Sequence, residues 1–149
     1  LSRGLGDVYK RQVLEKYLTL NLNNILELLT QVVPFEKERI ETIKERFNKR
    51  LEELKVDVDQ NRFEQELIFY LEKFDITEEK VRLKNHCEYF LKELAGTESN
   101  WKKLGFISQE IGREINTLGS KSNHSEMQKI VVQMKDELEK IKEQSLNIL

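Results

Sequence analysis

Glycine is missing from the chain between Asp7 and Ala95, proline occurs once, at Pro34, and cysteine once, at Cys87. All-β domains need frequent turns built on glycine and proline, so 149 residues with six glycines and one proline do not describe a sandwich or a barrel. A lone cysteine closes no intrachain disulfide, which accords with a reducing, cytoplasmic setting. As a side chain, Cys87 reads first as a small buried apolar group. The paired Cys and His of a metal finger are absent. No run approaches the roughly 18 apolar residues of a membrane span, and the amino end has no signal-like apolar core. The sequence also lacks G-x-x-x-x-G-K, G-x-G-x-x-G, H-E-x-x-H and G-x-S-x-G, which argues against P-loop, dinucleotide, zincin and α/β-hydrolase chemistry. An excess of one charge is missing as well: 25 Lys and Arg against 27 Asp and Glu leave a formal charge of -2. Any affinity for nucleic acid therefore comes from a local basic patch and not from bulk charge.

What is present is charge and helical periodicity. Charged residues make up 35% of the chain and hydrophobic ones 38%, against roughly 25% charged in ordinary soluble domains. Leu1–Gln12 (LSRGLGDVYKRQ) has no periodicity continuous with the segment after it and resembles a translated sequencing-adapter read-through, so it is set aside as a non-native leader. From Val13, apolar residues recur at helical spacing through Leu14, Leu18, Leu22, Ile25, Leu29 and Val32. Pro34 predicts a break, and Ile40, Ile43, Phe47, Leu51 and Leu54 a second helix from Phe35. Val56–Asn61 is turn-like, and Phe63, Leu67, Tyr70, Leu71 and Phe74 mark a third helix. Asp75 with Glu78 forms a capping-box-like start to a fourth, which carries Leu83, Cys87, Phe90, Leu91 and Leu94 and stops at Gly96. Thr97–Lys103 reads as a loop. A fifth helix shows Leu104, Ile107, Ile111, Ile115 and Leu118, and a sixth starts at Asn123. The expectation is an all-α bundle of about six helices: an elongated hairpin over 13–56 leading into a unit over 57–149.

The densest polar chemistry lies in Phe106–Ser122, FISQEIGREINTLGSKS. Glu110 and Glu114 stand one helical turn apart, a repulsive spacing unless a cation lies between them. Mg²⁺ or Mn²⁺ suits oxygen ligands; Arg113 and solvent are the plainer alternative. Gly112 sits mid-helix, where it costs about 1 kcal/mol against Ala and points to a close approach or a kink. Asn116, Thr117, Ser120, Lys121 and Ser122 place hydrogen-bonding groups and a cation before the next helix. A phosphate can lodge between Lys121 and that helix's free N–H groups, although a simple capped corner has the same residues. His86 borders the apolar face of the fourth helix, as a general acid or base, a ligand or a half-buried packing residue. His124 reads as a surface residue. Trp101, Lys102 and Lys103 combine an aromatic with two cations, either a stacking and phosphate site or a hydrophobic anchor with solvated neighbours.

NRFEQELIFYLEKFDITEEKVRL, then His86, then LGFISQEIGREINTLGSKS, and the ending IVVQMKDELEKIKEQSLNIL resemble the YicC/YloC family of bacterial proteins over about Val13–Leu149. The resemblance implies a metal-dependent endoribonuclease acting on RNA, assembled as a ring-like homo-oligomer, a hexamer, with a further amino-terminal domain. It implies site residues at Arg82, His86, Gln109, Glu110, Arg113, Glu114, Asn116, Thr117, Ser120 and Lys121. Many relatives carry Gly-Arg-Lys-Leu-Asp-Phe where this chain has Trp101–Phe106, and Asn in place of Gly112. An acidic ligand at 105 is thus missing, leaving Glu110 and Glu114 as the expected metal ligands. In the expected mechanism a Mn²⁺ or Mg²⁺ ion polarises the phosphate, and His86 protonates the leaving oxygen. Arg82, Arg113 and Lys121 offset charge, while Asn116, Ser120, Lys102 and Lys103 hold RNA. The competing expectation is a non-catalytic oligomerisation and RNA-docking module.

Overall fold

A computed structural model of the chain describes residues 2–54, 59–96 and 101–146. Among them five helices follow one another: α1 Ser2–Glu53, α2 Gln60–Lys73, α3 Thr77–Ala95, α4 Trp101–Lys121 and α5 Ser125–Leu146. The all-α expectation holds, but two of the expected six helices are one.

α1 runs unbroken through Pro34. Proline removes one backbone donor, leaving the carbonyl four residues earlier unbonded, and interrupts a helix by about 3 kcal/mol. Here both Pro34 and Thr30 are exposed, so solvent satisfies the freed carbonyl. Packing on either side outweighs the residual cost. Leu18, Leu22, Ile25, Leu29 and Val32 are buried before the proline, and Glu36 and Arg39 after it. The leader assigned to residues 1–12 is helical from Ser2 and continuous with the rest of α1, with Val8 and Tyr9 exposed.

α1, α3, α4 and α5 close a four-helix bundle in which each packs on two neighbours: α1 on α3 and α5, and α4 on α3 and α5. The cross-links show neighbours running antiparallel. Asn24 and Glu38 of α1 meet Glu137 and His124 of α5, and Arg82 and Glu93 of α3 meet Glu114 and Lys103 of α4. One continuous apolar core fills the ring, including Phe90, Leu104, Ile111, Ile115, Met127, Met134 and Ile141. α2 has no fully buried residue. It pairs with the far end of α1 through Phe47, whose ring centroid lies 5.4 Å from Phe63 and 5.8 Å from Tyr70. An elongated hairpin therefore exists, but between the end of α1 and α2, not across Pro34.

Local signals work with adjustments. Asp59 caps α2 by accepting from the N–H groups of Asn61 and Arg62. Asp75 accepts from the N–H and hydroxyl of Thr77 instead of forming a capping box with Glu78. The expected loop to Lys103 is already helical at Trp101, which packs half-buried against the core; residues 97–100 lie outside the described ones. Gly112 and Gly119 accommodate α5. A Cβ at Gly112 would stand 3.1 Å from Leu138 Cδ2, and one at Gly119 3.0 Å from Val131 Cγ1. The close approach that Gly112 predicts is real, and a neighbouring helix makes it.

Candidate active site at the seam between α3 and α4

Where α3 and α4 meet at the surface, their antiparallel register lines up opposite charges. Near the start of α4, Lys103 Nζ lies 3.2 Å from Glu93 Oε1 and 5.1 Å from the centre of the Tyr89 ring. Hydrogen bonds to Tyr89 and to Glu93 hold that ammonium above its ordinary pKa. Midway, Arg82 Nε donates to Glu114 Oε1 at 3.1 Å, and its Nη1 reaches Glu78 Oε2 at 3.1 Å. The bond to Glu114 is the chief reason the guanidinium pKa is raised. At the far end, Lys121 Nζ donates to Glu79 Oε1 at 2.7 Å and to the Asp75 carbonyl at 3.3 Å.

By the same antiparallel register, helical spacing assigns half-buried His86 of α3 to the level of Glu110 on α4, one turn from the Arg82–Glu114 pair. Six of the expected residues thus share one strip: Arg82, His86, Glu110, Glu114, Lys103 and Lys121. Glu114 is buried and Glu110 half-buried, so the strip has a dry inner edge and a wet outer one.

Other expected residues stand apart. Arg113 is largely exposed beside the strip, with Nη1 3.8 Å from Glu110 Oε2. Asn116, Ser120 and Lys102 lie exposed on the outer face of α4, and the Ser120 hydroxyl donates to the Thr117 carbonyl. Lys121 faces Glu79 instead of the start of α5, so the expected phosphate pocket is closed internally. His124 is the group that caps α5: its Nδ1 accepts from the N–H groups of Glu126 and Met127. It is not a free surface residue, since its ring also stacks 5.5 Å from Phe35.

Glu79, Glu36, Arg39 and Lys80 belong to no motif in the sequence, yet the fold gives each a partner. Glu79 is 2% exposed, and its Oε2 is buried without a hydrogen-bond partner. Arg39 donates from Nη1 and Nη2 to the carbonyls of Lys121 and Phe74, both at 2.6 Å, and so ties off the ends of α4 and α2. Burial lowers its pKa, with Glu36 and Asp75 opposing. Lys80 Nζ meets Glu36 Oε2 at 2.5 Å. One signal does exist in the sequence: Glu79, Leu83, Cys87, Phe90 and Leu94 share one helical stripe, and a carboxylate on an apolar stripe needs a cation.

No group of three or more His, Cys, Asp and Glu side chains among the described residues is arranged to hold a metal ion. The donors on the strip are the two carboxylates of Glu110 and Glu114, the latter already bonded to Arg82. Two carboxylates, one of them buried and bonded to Arg82, do not make a closed structural metal site.

A bundle of antiparallel helices with a charged, histidine-bearing seam defines an all-α domain. Over residues 32–149 the chain matches the family described as "Endoribonuclease YicC-like, C-terminal", and it belongs to that family. It is 38% identical to a "Probable endoribonuclease YicC" of Clostridioides difficile, over 80% of this chain and 42% of that protein. It is 30% identical to a "Probable endoribonuclease YicC" of Haemophilus influenzae, over 85% of this chain and 47% of that protein. The chain thus spans less than half the length of either relative. Among the described residues no helix is long and apolar enough to cross a membrane.

Proposed function

We propose that this chain is the helical part of an endoribonuclease that hydrolyses RNA phosphodiester bonds at the α3–α4 seam. The observation that carries the reading is the Arg82–Glu114 pair across the seam, whose register assigns His86 and Glu110 to the neighbouring turn, in a family whose relatives bear endoribonuclease names. In the proposed reaction water attacks phosphorus, gives up its proton to bulk solvent, and the bond to the leaving ribose oxygen breaks. His86 gives its proton to that oxygen. Arg113 and the outward edge of Arg82 offset charge on the phosphoryl oxygens. Glu110 and Glu114 would hold a divalent cation, Mn²⁺ or Mg²⁺, which supplies Lewis-acid polarisation of the phosphate when bound. Lys102, Lys103, Asn116, Ser120 and Lys121 would contribute along the backbone of the strand.

The test is cleavage of an end-labelled single-stranded RNA with Mn²⁺, with Mg²⁺ and with chelator. His86→Ala and Glu110→Gln are expected to lower the rate at least about a hundredfold, the range of a lost general acid, with the helical circular-dichroism signal intact. Wild-type rates in both variants would sink the assignment. A second reading, an RNA-docking and assembly module, is favoured by one feature: Glu114 is already neutralised by Arg82. It predicts salt-sensitive RNA binding without cleavage under any metal condition. Light scattering in solution tests the proposed homo-oligomeric ring.

A further inference from the structure

Two aromatic rings beside the seam have no place in the chemistry above. Phe106, on α4, is 64% exposed, and Tyr89, on α3, is 40% exposed. Phe106 lies one turn from Lys103, whose ammonium sits 5.1 Å over the Tyr89 ring, and one turn from Glu110. Helical spacing thus puts the two rings, one on each helix, at the Lys103 end of the strip, one turn from His86 on α3 and from Glu110 on α4. Trp101, the aromatic that the sequence puts beside Lys102 and Lys103, is half-buried against the core and unavailable for this role.

An exposed phenylalanine loses hydrophobic stabilisation unless something covers it. The charges around it say what kind of cover fits. Between residues 101 and 113 of α4, Lys102, Lys103 and Arg113 are cations and Glu110 is the only carboxylate. Aromatic faces set among cations suit a chain of flat rings joined by phosphates: rings stack, and phosphates meet ammonium and guanidinium groups. A base is free to stack on a side chain only where the strand is unpaired.

We infer that Tyr89 and Phe106 form a base-stacking platform that selects single-stranded RNA and seats the strand next to the His86–Glu110 position. The inference deepens the proposed function and rests on it. Binding of a fluorescein-labelled 12-nucleotide RNA in chelator, read by fluorescence polarisation, separates recognition from cleavage. Tyr89→Ala and Phe106→Ala are each expected to weaken binding about five- to hundredfold, the range of one lost base stack. Tyr89→Phe retains it. Phe106→Leu, apolar but not aromatic, loses it like Phe106→Ala. An abasic strand of equal length binds wild type as weakly as the variants, and a blunt duplex shows no difference among any of them. Equal RNA affinity of wild type and alanine variants overturns the platform and leaves the cleavage reading standing. Full affinity in Phe106→Leu overturns stacking as the cause. A Phe106→Ala variant that keeps its RNA affinity but loses mass in light scattering assigns the ring to a second copy of the chain instead. A wild-type chain that binds no RNA overturns both readings.

Discussion

Cys87 shows how burial alone sets a residue's chemistry. It is fully enclosed on the core stripe of α3, and burial, with Glu88 adding to it, pushes its thiol up to about 12. An unfolded cysteine ionises near 8.5, so the folded state disfavours the thiolate. The stability tied to this thiol is therefore complete below about pH 8.5 and is lost as pH rises from there toward 12. Cys87 is expected to resist a thiol reagent at pH 8 in the folded protein and to react at once in denaturant. Rapid labelling of native protein would contradict its enclosure. The apolar reading of this residue is correct because its position on a helical stripe decides it. Glu79 lies on the same stripe but stays hidden in the sequence, because its partner Lys121 is 42 residues away and no local pattern announces it.

At the level of the helices, glycine and proline are the instructive residues. Pro34 reads as a boundary in sequence because the local rule considers only the backbone around it. The helix continues because the bundle holds both flanks and the freed carbonyl faces solvent. Gly105, Gly112 and Gly119 look alike in sequence and differ in surroundings. A Cβ at Gly105 meets nothing within 4 Å, whereas one at Gly119 stands 3.0 Å from the branched side chain of Val131. Gly105→Ala is expected to stabilise the protein by up to about 1 kcal/mol, the difference in helix propensity. Gly119→Ala is expected to lose stability instead, because valine has little rotamer freedom with which to yield. Thermal melts of the pair check this, and an equal gain in both would show that the α4–α5 contact is not tight.

The whole molecule depends on ties that no single helix contains. From a buried position on α1, Arg39 bonds the last carbonyl of α4, that of Lys121, and the Phe74 carbonyl at the end of α2. Replacing it with Met keeps the stem and removes two charged hydrogen bonds. The expected cost is about 3–6 kcal/mol, since such bonds contribute about 1.5–3 kcal/mol each and the carbonyls lose their partners. Urea unfolding measures it, and an unchanged midpoint would show that solvent replaces the guanidinium.

Class, helix faces and most of the core were legible in the sequence because helical periodicity is local: residues three or four apart share a face whatever the fold. The same logic brought Glu110, Arg113 and Glu114 together. Only the tertiary structure merged the first two helices, moved the hairpin to α1 and α2, and aimed Lys121 at Glu79. It also bonded Arg82 to Glu114, 32 residues away, and so fixed the register of α3 against α4. Those placements follow from the register between helices, which burial of the shared core and the close approach of α4 and α5 impose. No spacing within one helix encodes that register.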